Sequence, residues 1–271
     1  MNLKLLFPVY RSRYKWIEKT LEKYALTAGG YERALSLGCG EGEGDPVIAQ
    51  HTKQLIACDI NADDISHAQA TNQRFTNINY VVADATALIF PENHFDLVVC
   101  SEVIEHIGEP ADRILQEIYR VLKPDKIAIL TFPSRSFPFS YDPINRISSM
   151  LGRERLVPWG AYAFGHDYLI DVNDFKNWCQ KYQLEIIEDV SLSGYLVGFL
   201  EMYWTGLLQS IFKKNASNLA ETDRNKSISY RPAFGDPLVG KLTELILWLD
   251  KKLFLKKDHS ILKAFVLKKK L

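Results

Sequence analysis

The sequence predicts an α/β fold built on a doubly wound parallel sheet, and three observations predict it. Short apolar runs alternate with polar stretches of helical length from Arg33 to Phe132, the pattern of strands covered by helices on both faces. The first run empties into a glycine-rich loop, ALSLGCGEGEGD, over residues 34–45. The segment LKPDK at 122–126 stops a helix and turns into the next strand, as a proline after a helix end does.

The elements follow in order. A helix is expected at 10–26 (YRSRYKWIEKTLEKYAL), inside an N-terminal helical lid of residues 1–32. Strands are expected at 33–37, 54–58, 78–82, 95–100 and 126–132, with helices near 45–51, 62–72 and 110–122. Residues 133–170 are rich in Pro, Ser and aromatics, and a long irregular stretch inside a compact domain is usually functional. A helix returns at 172–182, with Asp171 as its cap. It leads to a strand at 184–190, and a last strand reads at 261–269. About seventy residues separate those two strands, where a hairpin needs only a few. The core domain therefore spans 33–190 and 260–271, with a helical insertion at 191–259 between the last two strands.

Composition narrows the class. The 271 residues carry 33 Lys+Arg and 33 Asp+Glu, so no global basic field advertises a nucleic-acid partner. The lysines nonetheless crowd the C-terminal tail, at Lys251, Lys252, Lys256, Lys257, Lys263, Lys268, Lys269 and Lys270. Cys39, Cys58, Cys100 and Cys179 form no C-x-x-C pair. They read as reduced thiols of a cytoplasmic protein rather than as a disulfide framework or a zinc site. The apolar run in MNLKLLFPVYRSRYKW is short and broken by Pro8, unlike a signal peptide.

The glycine loop raises the question of its ligand. A dinucleotide fingerprint needs G-x-G-x-x-G, but three residues after Gly40 stands Glu43, and three after Gly42 stands Asp45. Glu41 and Glu43 would repel a pyrophosphate and welcome a ligand bearing an ammonium and a sulfonium. Gly38, Gly40 and Gly42 let the backbone approach such a ligand without an intervening Cβ. Asp59, at the end of ACDIN, suits ribose hydroxyls. Asp84, in VVADAT, suits an adenine amino group.

With these residues in place, a resemblance emerges over about residues 30–135. LSLGCGEGEG, ACDIN, VVADAT, FDLVVCSEVIEHI and VLKPDKIAILTFP resemble the successive motifs of class I S-adenosylmethionine-dependent methyltransferases, most closely the small-molecule and lipid methyltransferases of the type 11 group. The resemblance implies a Rossmann-like methyltransferase sheet of seven strands, the last antiparallel, with S-adenosyl-L-methionine over the carboxyl ends of strands one to four. It implies cofactor contacts from Gly38, Cys39, Gly40, Gly42, Asp59, Ile60, Asp84, Ala85 and Ser101. The family commonly has an acid two residues before the first glycine, helping to hold the methionine ammonium. Here that position is Ser36, and Glu41 and Ser101 are the candidates to replace it.

Glu102, Glu105 and His106 resemble an E-x-x-E-H pattern that binds a divalent metal in a few such methyltransferases, and the same letters occur in relatives that need none. The expectation is no metal, with Glu102 capping a loop and His106 beside the cofactor, where with His166 it borders the acceptor as a catalytic candidate. His166, in AFGHDYLI, is the candidate base facing the acceptor, or else a histidine hydrogen-bonded in a turn. Tyr141, Asp142 and Asp167 are weaker candidates.

The insertion contains GYLVGFLEMYWTGLLQSIFKK at 194–214, nearly all apolar for nineteen residues, with Glu201 their one charge. That length sits at the lower limit for a membrane span, and Glu201 would be costly in lipid. At 238–254, Leu238, Leu242, Leu245, Leu249 and Leu253 form one stripe at helical period. Three readings stay open: a buried cap or dimer surface, peripheral membrane contact through Trp204, Trp248 and the lysines, and a span.

The function expected is methyl transfer to a small-molecule or lipid-like acceptor, at oxygen, in a cytoplasmic protein peripheral to the inner face of a membrane. Two rivals are a non-catalytic module that keeps the fold to recruit a membrane or protein partner, and an RNA methyltransferase. The latter would need a basic stripe beside the cleft.

Overall fold

The computed structural model describes residues 8–108, 110–135, 143–153, 169–200, 203, 238–255 and 260–270. The chain divides into two compact units. One comprises 13–132, 170–190 and 263–271, the other 1–12, 133–169 and 191–262.

Helix α1 (Pro8–Ala28) leads into β1 (Tyr31–Leu37), α2 (Asp45–Ala49), β2 (Thr52–Asp59), α3 (Ala62–Thr71), β3 (Ile78–Val82), β4 (Phe95–Ser101), α4 (Arg113–Val121) and β5 (Leu122–Pro133). Then come α5 (Pro143–Met150), α6 (Val172–Lys181), β6 (Leu184–Ser193), α7 (Tyr195–Phe199), α8 (Leu238–Leu249) and β7 (Leu262–Lys269). The sheet has seven strands in the order 3-2-1-4-5-7-6. The first five are parallel. Lys270 N donates to Gln183 O at one end of the β6–β7 pair and Ile261 N to Ser193 O at the other, so the final pair is antiparallel. Strand order reverses between β1 and β4, and the crevice outside their carboxyl ends is where an open α/β sheet takes its ligand.

Local chemistry accounts for the elements. All of β4 except Ser101 is buried, because a central parallel strand is covered on both faces. Asn61 opens α3 by accepting from Asp63 N at 3.0 Å, and Asp171 opens α6 by accepting from Asn173 N at 2.8 Å. Phe132, Phe175 and Phe265 meet with ring centroids 4.6 to 5.5 Å apart and lock α6 onto β5 and β7.

Two expectations change. Helix α4 starts at Arg113 rather than 110, and LKPDK is not a turn between elements but the opening of β5. Asp125 takes a left-handed φ of 61° and the register with β4 slips between Phe95 and Leu97, so a bulge absorbs the turn signal. The lysine-rich tail is also partly internal. Lys269 is buried and its Nζ donates to Asn93 Oδ1, Tyr119 O and Leu122 O at 2.7 to 2.8 Å. Lys263 pairs with Asp189, and Lys268 with Asp125 at 3.0 Å.

In the other unit, buried Asp250 accepts from Gly194 N, Leu196 N at 3.0 Å and Val197 N at 3.2 Å, satisfying the orphan amides that start α7. Ile246 and Leu247 of α8 pack against a core of Val9, Val197 and Leu262. Leu242, Leu245, Trp248 and Leu253, on α8 and the π-helical turn that extends it, are each at least half exposed. No described helix is long and apolar enough to cross a membrane.

Candidate active site

The site begins where β1 ends. Gly38 N and Cys39 N both donate to Cys58 O, at 2.8 and 2.9 Å, folding the loop over the end of β2. Two glycines there are demanded by packing. A Cβ on Gly38 would lie 2.3 Å from Val103 Cγ2, and one on Gly42 would lie 2.7 Å from Ala68 Cβ. Gly40 differs: no heavy atom stands within 4 Å of where its Cβ would be, although its φ is +51°. Its amide donates to Asp59 Oδ2 at 2.9 Å, while Asp59 Oδ1 accepts from Asn61 N at 3.0 Å. Asp59 thus pins the loop and leaves an open cradle above Gly40.

A cleft of about 430 Å³, counting its open mouth, lies beside the loop. Tyr14 and Ile17 of α1 form one wall, and Ser36, Gly38, Cys39, Asp45, Val99 and Ser101 are among the residues opposite. Burial holds the Cys39 thiol far above its ordinary pKa, so it is a packing group rather than a nucleophile.

Asp45 is 1% exposed and its Oδ2 has no hydrogen-bond partner. Burial pushes its carboxyl up to about 6, against the hydroxyls of Ser36 and Tyr80, which hold it down. Sequence reasoning treated Asp45 only as a helix start. The available signal was an acid directly behind Gly44 in a first turn where Pro46, Val47 and Ile48 are all apolar. Tyr14 was missed as well, because nothing local ties it to the loop.

Ser101 Oγ lies 2.8 Å from Thr131 Oγ1. Asp84 is exposed, and its Oδ1 takes the amide and hydroxyl of Thr86 at 2.7 and 2.8 Å, bonds that hold its carboxyl below the ordinary range. Ala83 N donates to Asp59 O at 3.0 Å, setting the Asp84 turn next to Asp59. Ala85 is half-buried and Ile60 is exposed.

Glu102 sits at φ 58°. Arg13 Nη1 is 3.2 Å from its Oε2, and Thr131 Oγ1 donates to its Oε1 at 3.1 Å. Glu105 is buried, with neither carboxyl oxygen hydrogen-bonded, and burial, with Glu102 beside it, raises its carboxyl well above the ordinary range. His106 Nε2 is 4.0 Å from Glu105 Oε1. Among the described residues no three His, Cys, Asp or Glu side chains converge to hold a metal, since Glu102 is committed to Arg13 and Glu105 is turned inward. His166, Tyr141, Asp142 and Asp167 lie outside the described residues.

Among the described residues the cleft lining contains Asp45 but no Lys, Arg or His, and Asp59 holds the Gly40 amide of the same loop. A cleft lined by an acid and by no described base fits a cationic ligand and not a pyrophosphate. Comparisons agree. Residues 35–130 match a family model described as a methyltransferase domain. A ubiquinone biosynthesis O-methyltransferase of Leptothrix cholodnii is 26% identical over 181 residues, 64% of this chain and 71% of that protein. A Mycobacterium tuberculosis protein named as a probable S-adenosylmethionine-dependent methyltransferase is 33% identical over 101 residues, 37% of this chain; the match spans only 35% of that protein's length. The structure of an S-adenosylmethionine-dependent methyltransferase from Mesorhizobium loti superposes with a TM-score of 0.53 at 14% identity, covering 89% of this chain and 91% of that one; at such identity the likeness speaks for the fold alone. The glycine cradle, the strand order and the matched segment agree: residues 35–130 carry a methyltransferase domain of the class I S-adenosylmethionine-dependent kind.

Proposed function

We propose that the protein transfers the methyl group of S-adenosylmethionine to a hydroxyl oxygen of a small, lipid-like acceptor. The observation that carries the reading is the open space above Gly40, whose amide Asp59 holds from the carboxyl end of β2. When bound there, the cofactor supplies an electrophilic methyl that the acceptor oxygen takes in one in-line displacement. The chain's own part is positioning and exclusion of water. Gly40 brings bare backbone to the ligand, Asp59 serves the ribose and Asp84 the adenine, and Tyr14 and Ile17 close the cleft from the side of α1. The protonated Cys39 supports direct transfer over a relay through the enzyme.

Oxygen as the acceptor atom is supported by the Leptothrix relative's name. A greasy acceptor is supported by α8, whose Leu242, Leu245 and Trp248 stay at least half exposed beside exposed Lys241, Lys251 and Lys252. These side chains suit a helix resting at an anionic lipid surface.

Calorimetry with S-adenosylmethionine tests the first step. Wild type gives saturable heat, and Asp59→Ala weakens it by about tenfold or more. Absence of heat with wild type overturns the reading. Labelled-methyl transfer to phenols with and without an apolar tail tests the second. Heat without transfer to any hydroxyl would reduce the protein to a binding module.

A further inference from the structure

The cleft holds one carboxylate whose charge no basic side chain among the described residues answers. Asp45 begins α2 at 1% exposure, and its Oδ2 accepts no hydrogen bond. Buried polar atoms are almost always paired, and a buried carboxylate without a counter-charge is among the least tolerable groups in a fold. The groups that face it are the hydroxyls of Ser36 on β1 and Tyr80 on β3, the thiols of Cys39 in the loop and Cys58 on β2, and the acid Asp59. Among the described residues no basic side chain lines the cleft.

A second observation comes from the end of β1. Ser36, two residues before Gly38, is buried and neutral, and it lines the same cleft. The strand end that faces the ligand therefore brings no charge of its own, and Asp45 reaches the same place from the helix side, near enough for the Ser36 hydroxyl to act on its carboxyl.

We infer that Asp45 is the anionic subsite of the cleft, the carboxylate that receives the ammonium at the methionine end of the cofactor. This rests on the cofactor reading above. A ligand ammonium would give Oδ2 the partner it lacks and would favour the ionised acid. Glu41, an alternative for this role, lies outside the cleft lining, and Ser101 is neutral and shares its hydroxyl with Thr131.

The test is calorimetry on the full chain with two ligands. S-adenosylhomocysteine carries the ammonium; 5′-methylthioadenosine has the same nucleoside without the amino-acid end. Asp45→Asn is expected to weaken S-adenosylhomocysteine by about tenfold to hundredfold and to leave methylthioadenosine within about twofold. Asp59→Ala, at the ribose end, is expected to weaken both. Wild-type affinity for S-adenosylhomocysteine should fall from about pH 7 to pH 5 while methylthioadenosine stays level; this measurement needs no variant, so it stands even where Asp45→Asn fails to fold. A level profile for both ligands overturns the inference. So does equal S-adenosylhomocysteine affinity in wild type and Asp45→Asn, or an equal loss of both ligands, which marks a structural role. Wild type that binds neither ligand overturns the cofactor reading itself and the inference with it.

Discussion

Asp45 sets a conflict between stability and binding at the scale of a single side chain. Its carboxyl moves from 3.8 to about 6 on folding, so the folded state holds the proton more tightly than the unfolded chain does. Asp45's own contribution to stability is therefore fullest below about pH 4 and is lost as pH rises through about 6. The loss amounts to about 3 kcal/mol. Asp45→Asn is therefore expected to melt higher than wild type at pH 7 and alike at pH 4, measured by urea or thermal unfolding of the ligand-free protein.

The neighbouring glycines separate packing from binding. Gly38→Ala should cost about 3 kcal/mol, because a Cβ would meet Val103 at 2.3 Å in a left-handed backbone. Gly40→Ala should cost about 1 kcal/mol, from the backbone alone, yet lower cofactor affinity more than any stability change explains. Urea midpoints and calorimetry on the two variants read this contrast. In the sequence the two glycines look alike; only the neighbours of each absent Cβ distinguish them.

Single elements are fastened by charges that local patterning does not announce. Arg13 of α1 meets Glu102, which also takes the Thr131 hydroxyl and holds φ at 58°, a conformation that persists only where its surroundings impose it. Arg13→Met is expected to lose about 3 kcal/mol by stranding a largely buried carboxylate, and Glu102→Gln in the same chain should recover most of that. A double-mutant cycle in urea measures it. Asp250 plays a comparable part for α7. Asp250→Ala should speed amide exchange at Gly194, Leu196 and Val197, whose donors it satisfies. The strands themselves were legible, because continuous apolar runs can settle only between two layers of helices. The start of β5 was not, because Lys-Pro-Asp reads as a turn and a bulge at Asp125 hides it inside the strand.

For the whole molecule, the exposed face of α8 carries the prediction that reaches furthest from the sheet. The full chain is expected to sediment with anionic phospholipid vesicles and much less with neutral ones, and Leu242→Ser with Trp248→Ser should reduce the bound fraction severalfold. Wild type remaining in the supernatant with both vesicle types removes the lipid-facing reading and leaves the cofactor site untouched. The basic tail contributes less to such a surface than its composition suggests, since Lys263 and Lys269 are spent on internal partners.

By itself the sequence determined the strands, their parallel pairing, the glycine loop and its preference for a cationic nucleoside. Each of these follows from short-range rules: burial period, backbone freedom and the sign of nearby charges. Tertiary structure alone decided which glycine leaves room for a ligand and which tail lysines turn inward. It also decided that Asp45, seven residues beyond the loop's first glycine, returns to the cleft beside Ser36. Those outcomes depend on groups distant in sequence arriving at one place, and a carboxylate's burial and lack of a partner exist only once they have arrived.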